Sequence, residues 1–337
     1  MGLLLQILGV AFLLMIAFVV VIALTIRSKL KGFVKVFEGF STVLGTPSRI
    51  TLVPLAAPSW ENPEANAAVE ETLKSLGFVK AGNYQVEEMK GLELEGWQIP
   101  SQSINAVIYE RPDQGNWIDF YTHFEDGTRI TYTNSSIGAG LDPAPGHEMG
   151  RFPGMEVREL FEKFVAGRPN KPAKTISRES FASVLEVVYA KEMEWRNSRG
   201  GATLEEIRAI GASTGEVYDD DAIEATHELA ERQAMEELDE TIRERFLEET
   251  KLSAIEWERV RDRVIVIHDS MNPDAFEEAV GARLDDDELE RLDFESDALP
   301  RVAFSDFNKT LAEARRFKRL GTVASPVGAD IYAVPEN

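Results

Sequence analysis

The hydrophobic pattern changes period several times along this chain, and each change marks an element. From Leu3 to Ile26 there is no period at all. Every residue is apolar or small except Gln6 and Thr25, and none is charged. As a helix this run would span about 36 Å, against a hydrocarbon core of about 30 Å. A helix on a soluble protein keeps a polar stripe, and this one has none. A cleaved signal peptide needs a basic start, a shorter apolar core and a small-residue cleavage site. Residues 1–6 hold no Lys or Arg, and Ile26-Arg27-Ser28-Lys29 is a poor cleavage context. The run therefore predicts an uncleaved transmembrane anchor over residues 1–27, contacting the bilayer through 3–26.

A helical period follows. Phe33, Phe37, Phe40 and Leu44 recur on one side of a juxtamembrane segment, 28–47, beside basic residues. Such a segment either rests in the headgroup layer or packs on the folded domain. Gly45-Thr46-Pro47 breaks the chain before that domain begins. Arg27, Lys29, Lys31 and Lys35 flank the apolar run on its C-terminal side only. The positive-inside rule then puts the short N-terminus outside and the large domain in the cytoplasm.

Next the pattern alternates. Residues 49–55 read as a short strand. Asn62-Pro63-Glu64 opens a helix whose buried stripe is Val69, Leu73 and Leu76, with Gly77 as its left-handed C-terminal cap. Strands are predicted over 78–86, 92–98, 104–111, 117–124 and 128–134, in an antiparallel meander. The last two can pair in two registers across Glu125-Asp126-Gly127. A two-residue turn splits the apolar residues between faces. A three-residue loop with Gly127 in a bulge pairs Phe120 with Tyr132 and Thr122 with Ile130. That places Ile118, Phe120, Ile130 and Tyr132 on one face, so it is the expected register. The opposite face then carries Asp119, Tyr121, His123, Arg129, Thr131 and Thr133.

Residues 135–153 read as a long Gly/Pro-rich loop, of the kind that serves as a lid or linker. Helices are expected at 155–166 and 178–198. Beyond Gly200-Gly201 the period is mostly helical again. Thr203 and Ser253 each open a capping box, a helix runs from Asp219 to about Thr250, and another from Ala254 through Val264. A short helix starts at Asn272-Pro273, a final one covers about 306–319, and one or two strands lie in 322–334. The fold class is thus α+β: an N-terminal transmembrane helix, a helix packed on an antiparallel β-meander over 48–200, and a mainly α-helical acidic region over 201–337.

Composition narrows the chemistry. The formal net charge is −22 over 337 residues, which opposes nucleic acid as a partner. The absence of cysteine removes disulfides, thiolate catalysis and Cys-ligated zinc. Ile137-Gly-Ala-Gly-Leu-Asp142 lacks the third glycine of a dinucleotide fingerprint, and no Gly-Lys-Ser/Thr occurs. No cofactor is signalled. Four histidines are present, no two at helical metal-ligand spacing, so no metal site is assigned. The Asp triplets at 219–221 and 285–287 lack the ligand spacing of an EF-hand and suit helix N-termini. No Gly-x-Ser-x-Gly marks a hydrolase.

Two functional expectations follow. The first is a membrane-tethered cytoplasmic interaction or scaffold protein, with a protein partner on the C-terminal helices. The second is a small-ligand sensor or enzyme. Its site would lie between the polar sheet face and the 135–153 loop, lined by Asp119, Tyr121, His123, Arg129 and His147.

Overall fold

The structure is a computed structural model, and it describes residues 46–111, 115–214, 218–250, 252–271, 273–281, 318–324 and 326–334. The anchor, residues 28–45 of the juxtamembrane segment, the second Asp triplet and residues 306–317 of the expected last helix lie outside these residues. Among the described helices none is long and apolar enough to cross a membrane.

The fold is α+β, with a seven-stranded mixed sheet and seven α-helices among the described residues. The sheet runs β1 (Leu52–Pro54), β2 (Val79–Val86), β3 (Glu93–Ile99), β4 (Ile104–Arg111), β5 (Gly115–His123), β6 (Arg129–Thr133) and β7 (His147–Arg151), in sequence order. Five of these strands fall where the alternation placed them. The β5–β6 hairpin adopts the expected register, Phe120 opposite Tyr132 and Thr122 opposite Ile130. Gly127 takes φ +86° in the turn, a conformation open to glycine.

The 135–153 stretch is not one loop. Its last third is β7, which pairs in parallel with β6 and makes the sheet mixed rather than antiparallel. A parallel return needs a crossover of roughly a dozen residues. Residues 134–146 provide it without a helix.

Helices cover both sheet faces. Helix α1 (Pro63–Ser75) begins as read: Ala65 N donates to Asn62 Oδ1 at 3.1 Å, and Gly77 closes the end at φ +90°. Together α1 and α2 (Val157–Gly167) cover one face. Leu73, Leu160 and Phe164 pack there on Trp97, Ile104, Ile108, Ile118, Phe120 and Ile130. Helix α3 (Phe181–Ser198) lies on the other face, where Phe181 joins Leu52, Tyr84, Leu94, Val107 and Tyr121. Phe181 reaches the sheet because Gly96 has no side chain: a Cβ there would clash with the edge of the phenyl ring.

The region after Gly201 divides. Residues Ile137–Leu141 and Thr203–Leu229 group as one compact unit, which holds α4 (Leu204–Thr214) and the start of α5 (Asp220–Glu249). In it Gly140, at φ +98°, lies against α4, where a Cβ would come within 2.7 Å of Ile210 N. The capping box at Thr203 is present, Glu206 N donating to Thr203 Oγ1 at 3.2 Å and Thr203 N to Glu206 Oε2 at 2.8 Å. Asp219 caps α5 by accepting from Ala222 N at 2.8 Å, which accounts for the first Asp triplet.

The C-terminal part belongs with the large sheet's unit and is less helical than its sequence period suggests. Helix α6 (Ala254–Val260) opens with the expected Ser253–Glu256 box but stops four residues short of Val264. Val264–His268 is strand β8, not helix. The run Val264-Ile-Val-Ile267 is β-branched throughout and buried on both faces, so strand geometry wins over the period shared with Trp257 and Val260. A similar correction applies to Lys318–Val323, which is strand β9 rather than the end of a helix. With β10 (Ala329–Ala333) these form an antiparallel sheet in the order β8-β10-β9. Leu238, Ile242 and Phe246 of α5 cover one face, and Phe276 and Val280 of α7 (Pro273–Gly281) cover the other. Ion pairs and hydrogen bonds tie this part to α3: Arg245 to Glu194 at 2.6 Å, and Ser270 Oγ to Ser198 O at 2.7 Å.

Adding a single methyl at Gly96 forces Phe181 away from the sheet. Gly96→Ala should cost about 1–3 kcal/mol, read as a lower urea midpoint at unchanged m-value. An unchanged midpoint would mean that α3 does not rest on the sheet at this glycine.

Candidate functional site

The residues expected to line a site all project from the sheet face that α3 covers. The strand register sets them in rows. His123, Arg129 and His147 are neighbours across β5, β6 and β7. Tyr121, Thr131 and Met149 form the next row, and Asp119, Thr133 and Arg151 the one after. His147 therefore does meet the polar face, but as a residue of β7 and not of a closing lid.

What fills the space over the first row is Glu192, from the last part of α3. Its Oε2 accepts from Arg129 and from His147 Nδ1, the latter at 3.1 Å. Its Oε1 accepts from the backbone N–H of Ala144 at 2.8 Å. The other ring nitrogen of His147 lies 3.0 Å from Thr131 Oγ1. With the imidazole neutral, Nδ1–H donates to Glu192 and the Thr131 hydroxyl donates to Nε2. One carboxylate thus joins three segments: α3, strand β6 and the crossover into β7.

Burial sets the protonation states. It pushes His147 down to about 3 and His123 down to about 4, and the Arg129 guanidinium beside both acts in the same direction. Burial also lowers Arg129 to about 10, still charged at neutral pH. Asp119 is raised by burial to about 6, against a Thr133 hydrogen bond and the charge of Arg151. The Tyr121 phenol is pushed far up by burial, and its ring meets His123 edge-on at 5.4 Å.

Thr131, His147 and Glu192 stand in the order hydroxyl, imidazole, carboxylate, which is the order of a nucleophilic triad. The chemistry does not follow. A base whose pKa is near 3 takes up a proton poorly at neutral pH. Arg129 shares the Glu192 oxygen that would steady an imidazolium, and Thr131 is 9% exposed. The arrangement is a closed polar clasp. Among the described residues no three His, Asp or Glu side chains group to hold a metal ion. Trp117, on the same face, stacks on its cross-strand neighbour Tyr109 at 5.0 Å.

Glu192 was not among the residues expected from sequence. The signal was present: it falls seven residues after Leu185 and eleven after Phe181, on the apolar stripe of α3. A charge on that stripe marks a buried partner. In a chain this rich in glutamate it does not stand out.

No family model matches the chain, and no curated protein or solved structure is significantly similar to it.

Two outcomes follow from the clasp. Glu192→Gln leaves Arg129 charged and unpaired beneath α3, which should cost about 3 kcal/mol in urea unfolding. A loss below about 0.5 kcal/mol would show that the pair is not buried as described. The second concerns pH. A histidine depressed from 6.5 folds best neutral, so the unfolded chain takes up a proton first as pH falls below about 6.5, and stability drops. Asp119 acts oppositely: the native state holds its proton up to about 6 and the unfolded state releases it near 3.8, so stability drops as pH rises through that interval. Between pH about 4.5 and 6, Asp119→Asn should therefore steepen the acid loss by about 1.4 kcal/mol per pH unit, and His147→Gln should flatten it by a similar amount. Parallel pH profiles for wild type and Asp119→Asn would contradict the burial of that carboxyl.

Proposed function

We propose that the chain is a membrane-tethered interaction protein. The apolar run over residues 3–26 anchors it once, the N-terminus lies outside, and the domain beginning near residue 46 works on the cytoplasmic side. The observation that carries the reading is the Glu192 clasp. Arg129 and His147, the groups that promised ligand chemistry, find their partners within the fold. For a protein partner, what remains is the outer surface.

That surface has a polarity. Along α5 beyond residue 229 the exposed positions include Arg232, Glu236, Glu240, Glu248 and Glu249, four of the five acidic. A partner for this helix therefore presents a basic face, and its binding weakens as salt rises. The net charge also keeps the domain from lying on anionic lipid, leaving it held near the bilayer by its tether alone.

The tether is tested by fractionation and fusion. The full-length chain should stay in the membrane pellet through a carbonate wash, and a chain starting at residue 46 should not. A C-terminal GFP should fluoresce while a C-terminal alkaline phosphatase stays inactive. A chain released by carbonate, or an active phosphatase with a dark GFP, would defeat the proposal. Charge reversal at Glu236, Glu240 and Glu248 should abolish partner crosslinking in cells and leave the membrane fraction unchanged.

A further inference from the structure

A second polar row lies on the α3 side of the sheet, nearer the N-terminal end of that helix, and it has no counterpart of Glu192. Gln98, Asn105 and Tyr121 are successive neighbours across β3, β4 and β5. They are 6%, 2% and 6% exposed. Gln98 Oε1, Asn105 Nδ2 and the Tyr121 hydroxyl have no hydrogen-bond partner among the described residues. Although Gln98 and Asn105 face each other across the strands, the oxygen of one and the nitrogen of the other do not bond. Leaving one such group unpaired costs about 1–3 kcal/mol, and here three such atoms lie on three adjacent strands of one face.

The surroundings give the row a boundary. Residues 172–178 cross the strand ends as a strap. Glu125 N donates to Pro172 O at 3.0 Å and Lys174 N to His123 O at 2.8 Å. Thr175 Oγ1 lies 3.0 Å from Ser103 Oγ, and Arg178 Nε donates to Ala81 O at 3.0 Å. The contacts thus pass from β5 to the start of β4 and on to β2, beside the row. From this strap Ile176 enters the same apolar cluster as Tyr121, Val107 and Phe181, while Thr175 and Ser177 stay exposed. Phe181 and Ile176 give the row an apolar cover, and the His123 ring gives it a flat wall against Tyr121.

We propose that the Gln98–Asn105–Tyr121 row, under the 172–178 strap, is a binding site for a small uncharged molecule bearing a primary carboxamide. The fit is one of donors and acceptors. Asn105 Nδ2–H donates to the ligand carbonyl, Gln98 Oε1 accepts from the ligand N–H, and the Tyr121 hydroxyl serves either. The row carries no formal charge, and Arg129 nearby is already paired with Glu192. A charged ligand would exchange its hydration for three uncharged polar groups. Burial keeps Tyr121 a hydroxyl and His123 neutral, which agrees with an uncharged site. The proposal depends neither on the tether nor on a protein partner.

The test uses the full-length chain in mild detergent with acetamide as probe and acetate as its charged counterpart. Acetamide should show saturable binding by saturation-transfer NMR and should shift the side-chain amide resonances of Asn105 and Gln98. Acetate should do neither. Tyr121→Phe, which keeps the ring, and Asn105→Leu should each weaken acetamide binding by about tenfold, with near-ultraviolet circular dichroism confirming the fold. The resonance shifts in the wild-type chain stand even if a variant fails to fold. Absence of saturable binding, equal binding of acetate, or shifts confined to residues away from the row would overturn the proposal and leave the row to ordered water alone.

Discussion

The fold turns on one carboxylate. Strands β5, β6 and β7 present charged and hydroxylated side chains on the face where α3 must lie. A helix with a wholly apolar stripe would strand Arg129 and His147 without partners, at several kcal/mol each. Glu192 resolves this from the helix side. It also sets register, because it holds α3 to Arg129 of β6, to His147 of β7 and to the Ala144 amide before β7 at once. A buried ion pair is often no more stabilising than apolar packing of the same volume. Its value here is geometric. It fixes where the parallel strand returns along β6, which five residues of low β propensity would not fix by themselves.

That explains which parts of the fold were legible. The five central strands alternate cleanly, and a slip by one residue would turn Phe120 or Ile130 to the wrong face, so their register could be read. The ends of α1 could be read from Asn62 and Gly77 because capping is local chemistry. Strand β7 could not. His147-Glu-Met-Gly-Arg151 has neither alternation nor β-branched residues, and its place comes from the neighbour it pairs with. Strand β8 was hidden for the opposite reason. Val264 continues the helical spacing of Trp257 and Val260, and only its β-branched successors show the change of period. The candidate residues on the polar face were legible one by one from the register. Their partner was not, because it comes from a helix distant in sequence.

The charge of the chain has two different consequences. On the outside, glutamates along α5 face water and shape what can approach. Inside, single carboxylates are used as clasps. Glu110 accepts from Glu61 N, Asn62 N and Asn66 Nδ2, holding the start of α1 against β4. Glu95, 1% exposed, pairs with Lys80 at 2.7 Å and accepts from Trp97 Nε1 at 3.2 Å. Glu194 holds Arg245, and so ties α5 to α3. An acidic composition thus conceals a small set of structural carboxylates, separable from the solvated ones only by the partner each one meets.

Helix α3 serves the polar sheet face unequally. Its first part, with Phe181, Val184 and Leu185, is apolar and lies near β2 to β4. Its last part carries Glu192 and Arg196 and lies over β5 to β7. Under the second half, Arg129 and His147 meet Glu192 of the helix. Polar groups under the first half face rings and methyl groups that cannot pair with them. The same helix therefore gives the His123–Arg129–His147 row a carboxylate and leaves the neighbouring row, Gln98 to Tyr121, in need of polar atoms from elsewhere. Repair within the sequence was available through an apolar residue at Asn105 or Phe in place of Tyr121. Three unpaired polar side chains on three adjacent strands are hard to reconcile with packing as the only constraint on that row.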